Sequence, residues 1–104
     1  MVFKVIISYD GTAKDRFDRD YYCNNHIPHV RKVWEPFGLL DIRPFFPGVE
    51  SGATGTVCIS QCVFRDKAAM EAAFAAPGTK ALLDDIPNFT DLPMQAGILS
   101  PMEG

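Results

Sequence analysis

Apolar residues recur at every second position over residues 2–9 and at every third or fourth position from Tyr22 to Phe37, and this change of period constrains the fold more than any other feature. Phe3, Val5, Ile7 and Tyr9 fall on one side of a strand, with Lys4, Ile6 and Ser8 on the other. Residues 10–16 are polar and read as a loop. Asp18 then starts a helix, because its carboxylate can accept first-turn N–H groups and faces the positive end of the helix dipole. Phe17 and Tyr22 flank it as a hydrophobic staple. Tyr22, His26, Val30, Val33 and Phe37 form one stripe, which puts His26 on the buried face. Pro28 has no N–H for the carbonyl of Asn24, and its ring crowds that carbonyl, so the helix should kink or loosen beside His26.

Pro36 and Gly38 stop this helix. Residues 39–46 predict a second strand, closed by Pro47 and Gly48. Residues 47–55, rich in Gly and small side chains, predict a hairpin or flexible loop. Residues 56–64 predict a third strand, dense in β-branched side chains. Asp66 caps a second helix through Ala68, Met70, Ala73 and Phe74, which Pro77 and Gly78 interrupt; residues 80–85 resume as a short helical turn. A loop over 86–92 leads to a fourth strand over 93–99. In a chain of 104 residues the order βαββαβ predicts a single domain, residues 1–104. Its class is α+β, a ferredoxin-like sandwich with both helices on one face of a four-stranded antiparallel sheet. Whichever alternating set faces outward contains Ile, Val, Leu or Phe beside polar groups such as Ser60 or Gln61. A second copy of the chain is therefore expected to cover that face, giving a homodimer.

Composition excludes several classes. The formal net charge is −3 with no block of like charge, so neither a nucleic-acid footprint nor a membrane-surface helix is present. The opening residues are too short an apolar run for a secretory signal, and no stretch approaches the roughly 20 apolar residues of a membrane span. A cytoplasmic location is expected. Three cysteines, an odd number, fit reduced thiols. Cys58, Ser60 and Cys62 share one strand face, where cysteine serves as a small packing residue.

His26 is the leading candidate for chemistry, since imidazole titrates near neutrality and can act as acid or base. The competing reading is a core histidine bonded to the carbonyl that Pro28 leaves free. Tyr22, one turn earlier, either orients a ligand through its hydroxyl or only staples the helix. His26 and His29 have a spacing that suits two metal ligands, but no third is apparent and no metal is expected. Asp85 and Asn88 act as caps or contact a ligand, and Phe89 and Trp34 line a pocket or pack in the core.

The segment FDRDYYCNNHIPHV, residues 17–30, and the segment DDIPNFTDLP, residues 84–93, resemble the two signatures of the EthD family, at the spacing found there. The resemblance runs from Val2 to about Leu99. It places Phe17, Asp18, Tyr21, Tyr22, His26 and Pro28 in the first motif and Asp85, Ile86, Pro87, Asn88 and Phe89 in the second. Two features depart from the pattern. His29 stands where an apolar residue is usual, and the last strand, MQAGIL, is smaller and less β-branched, which would reshape a pocket. The resemblance implies a dimeric α/β barrel, in which ferredoxin-like protomers pair through their sheets. That superfamily includes cofactor-independent monooxygenases, haem-handling enzymes, lactone isomerases and polyketide cyclases. The expectation is a protein that binds a small hydrophobic molecule, aromatic or carbonyl-bearing, without a cofactor. His26 would be catalytic, and Tyr22, Asp85, Asn88 and Phe89 would contact the substrate. The alternative is a non-catalytic binding or accessory protein of a catabolic or biosynthetic pathway.

Overall fold

In the computed structural model, which describes residues 2–99, the period-two opening of the chain forms strand β1, Phe3–Thr12. Val5, Ile7 and Tyr9 are buried, as the alternation requires. The strand runs past the expected end at Tyr9 because Asp10, Gly11 and Thr12 pair with Thr56, Gly55 and Thr54. A ladder satisfies the backbone of polar residues as well as that of apolar ones.

The Asp18 carboxylate accepts the Tyr21 N–H at 3.0 Å, and the Phe17 and Tyr22 rings meet edge to face 5.2 Å apart, so both the cap and the staple form. The helix that follows is not a regular one kinked at Pro28. Helix α1, Arg19–Tyr21, opens into a π-helical turn, Tyr22–His26, before α2, Ile27–Trp34, and a 3-10 turn, Glu35–Phe37. The Ile27 N–H reaches back five residues to the Tyr22 carbonyl. Pro28, next in line, has no N–H to offer, so a widened turn forfeits less hydrogen bonding here than elsewhere. The wide turn carries the buried stripe from Tyr22 and His26 to Ile27, Val30 and Trp34. Phe37, expected on that stripe, is exposed. Gly38 ends the segment at φ 111°, a left-handed conformation that a side chain would strain.

Strands β2, Leu39–Phe45, and β3, Thr54–Phe64, form an antiparallel hairpin. Asp66 caps α3, Lys67–Ala75, by accepting the Ala69 N–H at 2.7 Å. Pro77 opens a further helix, α4, Pro77–Asp84, instead of only interrupting the preceding one. At the first position of a helix the missing N–H costs nothing and the fixed φ is already helical. A 3-10 turn, Ile86–Asn88, leads to β4, Met94–Leu99.

The four strands make one antiparallel sheet in the order β2-β3-β1-β4, a ferredoxin-like α+β sandwich with the helical segments on one face. The molecule measures 40 × 39 × 18 Å, the thin axis being one sheet and one helical layer. The outer face carries Ile6, Ile59, Val63 and the exposed Phe45 among Ser8, Gln61 and Arg43. On the inner face, Tyr9 opposite Met94 and Ile7 opposite Ala96 show that β4 also points side chains toward the helices. Ala96 and Ile98 are nevertheless exposed, so the helical layer stops short of this edge strand. Among the described residues no helix is long and apolar enough to cross a membrane.

Candidate functional site

Packing brings the two singled-out segments together. The Asp18 N–H donates to the Phe89 carbonyl at 2.7 Å, Phe17 and Thr90 form a short antiparallel bridge, and the Thr90 hydroxyl donates to the Arg16 carbonyl at 2.6 Å. Beside this seam lies Asp85, just past the end of α4. Its Oδ1 accepts the Tyr21 hydroxyl at 2.6 Å and the Asn88 amide at 2.8 Å, and its Oδ2 lies 2.9 Å from His26 Nδ1. Burial works against the Asp85 charge, but the hydrogen bonds from Tyr21, Asn88 and His26 outweigh it and hold the carboxyl below its usual range. For His26 the balance is the reverse. Burial lowers its pKa and the nearby carboxylate only partly offsets this, so the ring is neutral at pH 7. A neutral imidazole beside a carboxylate carries its proton on Nδ1, which donates to Asp85, and keeps its lone pair on Nε2.

The ring itself is clamped. Tyr22 stacks on it at 5.4 Å between centroids with 19° between planes, and Phe89, fully buried, lies 4.7 Å away on a tilted plane. Tyr22 and His26 face each other because residues four apart lie on the same side of a helical segment.

His26 stands on the wall of a cavity of about 250 Å³ between the sheet and the helices. Ile7, Tyr9, Met94 and Ala96 form its floor, and the helical segments supply Val30, Trp34, Leu82 and Leu83. The wall is almost wholly apolar. Exposed Leu83, Phe74 and Ala96 mark where it opens, over the uncovered edge at β4. The small Ala96 of the MQAGIL strand lies on the wall of this space.

Among the residues singled out from the sequence, His26, Tyr22 and Trp34 line the cavity. Tyr22 does so with its ring, since its hydroxyl is bonded to Ser60 Oγ at 2.5 Å. Asp85, Asn88 and Phe89 are not on the wall; they surround the far side of the imidazole and touch His26 or its partner. The protein partner of His26 is Asp85 and not the Asn24 carbonyl. Cys58 and Cys62 are fully buried, and burial pushes both thiols up to about 12; Cys23 is exposed. Among the described residues no three His, Cys, Asp or Glu side chains converge as a metal site would require. Tyr9 escaped notice in the sequence because it fits the alternation of β1. The available signal was a polar-tipped residue on a strand face otherwise made of Phe, Val and Ile.

The EthD domain family matches residues 10–93 of the chain. An EthD-like protein from Ralstonia eutropha JMP134 has the same fold with a TM-score of 0.75 and 27% identity, covering 92% of this chain and 89% of that one. An EthD family protein from Bacillus halodurans C-125 gives a TM-score of 0.67 at 23% identity, covering 98% and 100%. SnoaB, a cofactor-independent oxygenase from Streptomyces nogalater, shares the fold at a TM-score of 0.65 and 12% identity, covering 99% and 94%. No curated protein matches the sequence.

Proposed function

The chain belongs to the EthD domain family, and on that premise we propose that its cavity binds a small hydrophobic molecule, aromatic or carbonyl-bearing, with His26 exchanging a proton with it. The observation that carries this reading is the hydrogen bond from His26 Nδ1 to Asp85, which leaves Nε2 as the lone-pair nitrogen of a residue on an apolar wall. Apolar surroundings keep the imidazole neutral and ready to accept a proton. The Asp85 carboxylate, kept ionised by Tyr21 and Asn88, then stabilises the imidazolium that forms. Phe89 and Tyr22 hold the ring in place, so Asp85, Asn88 and Phe89 act on the ligand through His26.

The step is removal of a proton from a phenol or from a carbon beside a carbonyl, with the electron pair left on the ligand. Isomerisation, cyclisation, dehydration and reaction of an activated phenolate with oxygen all begin this way. SnoaB is a cofactor-independent oxygenase, which gives the oxidative variant a precedent in this fold. A second copy of the chain over the outer sheet face belongs to the same reading, supported by the apolar residues there and by the dimeric α/β-barrel superfamily to which the fold is related. The free cysteines fit a reducing compartment such as the cytoplasm.

The test is exchange of the methyl protons of 2-acetylnaphthalene in heavy water, followed by NMR. His26→Gln should abolish protein-dependent exchange while ligand affinity stays within about tenfold. Exchange that survives the substitution overturns His26 as the base. Binding without exchange in either protein identifies a non-catalytic carrier.

A further inference from the structure

Most polar side-chain atoms on the cavity wall are already engaged within the protein. The Tyr22 hydroxyl is bonded to Ser60, the Trp34 indole N–H donates to Thr79, and the Thr79 hydroxyl donates to the Ala73 carbonyl. His26 Nδ1 is held by Asp85. Two wall residues keep a polar atom with no protein partner among the described residues: His26, through Nε2, and Tyr9, through its hydroxyl. Tyr9 is only 1% exposed, and no sealed-off side-chain oxygen or nitrogen lacks a partner. Its hydroxyl, with no protein partner, is therefore not sealed off, and the cavity is the space that Tyr9 lines. The strand is also irregular at this point. Tyr9 pairs with Cys58 but Asp10 pairs with Thr56, which leaves Val57 as the extra residue of a bulge. Bulges redirect neighbouring side chains and concentrate beside binding sites. Burial raises the Tyr9 pKa, so the group remains a hydrogen-bond donor at any ordinary pH.

We infer that Tyr9 is a second ligand-contacting residue, whose hydroxyl donates to a ligand oxygen while His26 Nε2 accepts an acidic O–H or C–H proton of the same molecule. The inference rests on the reading of the cavity as a small-molecule site and narrows its ligand class. A cavity of about 150 Å³ admits benzene, so about 250 Å³ suits one or two fused rings. The wall then calls for one donor and one acceptor on that apolar body, which describes an aromatic hydroxy ketone. In the reaction the proton moves to Nε2, and its electron pair stays on the substrate and spreads onto the carbonyl oxygen. Tyr9 stabilises that oxyanion without giving up its own proton.

Three probes separate the contributions: 2-naphthol, 2-acetylnaphthalene and 6-acetyl-2-naphthol, titrated by calorimetry into wild type and Tyr9→Phe. Wild type should bind the hydroxy ketone most tightly. Tyr9→Phe should weaken both acetyl compounds roughly tenfold and leave 2-naphthol unchanged. It should melt at or above the wild-type temperature, since the lost hydroxyl has no protein partner. Equal affinity of Tyr9→Phe and wild type for the acetyl compounds overturns the Tyr9 assignment and leaves the cavity reading intact, as does a marked fall in the Tyr9→Phe melting temperature. If wild type binds none of the three, the cavity reading falls and the Tyr9 assignment with it.

Discussion

At the scale of single residues, His26 and Asp85 form a unit in which each governs the charge of the other. His26 stays neutral in the fold below the pH at which the unfolded chain takes up a proton, near 6.5. Its contribution to stability is thus unaffected above that pH and turns unfavourable as the pH falls below it. Asp85 is held below its ordinary range, so its stabilising share is complete above about pH 3.9 and is lost as pH falls through the folded value. The urea midpoint should be level from pH 8 to 7, fall below about 6.5 and fall again below about 4. His26→Gln should remove the first decline and spare most of the second; a wild-type midpoint level down to pH 5 would mean that the folded imidazole takes up its proton at the same pH as in the unfolded chain. Tyr22→Phe leaves buried Ser60 without its partner and should cost about 1–3 kcal/mol in the same titration. For the cysteines, a thiol reagent should titrate Cys23 quickly and reach Cys58 and Cys62 only on unfolding. Rapid labelling of all three would show that β3 opens in the native state.

At the scale of elements, much was legible beforehand because the governing interactions are local. Asp18 and Asp66 cap helices three residues ahead of themselves, and β1 alternates as its sequence does. The π turn was not legible, since Pro28 announces a disturbance but not which way the chain will accommodate it. With the wide turn in place, Tyr22, His26 and Trp34 are all buried. Local propensity is not the whole account of α4 either. Propensity favours Ala over Gly in a helix by about 1 kcal/mol. A methyl group at Gly78, however, would come within 2.9 Å of Val33 Cγ1, a side chain with little rotamer freedom. Gly78→Ala should therefore lower the urea midpoint, by roughly 1–2 kcal/mol, as α2 and α4 are forced apart. A rise would mean that the two helices separate freely and that the cavity between them is pliable.

For the whole molecule, the ferredoxin-like order followed from counting elements, and the consequence of that order is an uneven cover. Helices shield β2, β3 and β1 but leave the inner face of β4 partly open, and the cavity lies under that gap. Ala96→Leu should fill part of it and weaken binding of two-ring compounds without lowering the melting temperature, because Ala96 is exposed. Unchanged binding would place the ligand elsewhere. The outer face leads to a separate expectation. Sedimentation of wild type should give twice the mass of the chain, and Ile59→Arg, at the centre of that face, should give one chain's mass with native circular dichroism. A monomeric wild type would remove the dimer from the proposal.

By itself the sequence determined the strands, the caps, the order of the elements and the burial of His26, because periodicity and capping are read over a few neighbouring residues. Only the tertiary structure decided what His26 touches once buried. Its partner Asp85 lies 59 positions away, the ring of Phe89 lies beside it, and the cavity at its side belongs to no single element. The surroundings of Tyr22 and Tyr9 were likewise set by packing. Both are tyrosines on inner faces, but Tyr22 meets Ser60 across the core, whereas the Tyr9 hydroxyl meets no protein group among the described residues. Whether a buried hydroxyl has a partner depends on which strand lies opposite it, and that is a property of the assembled fold.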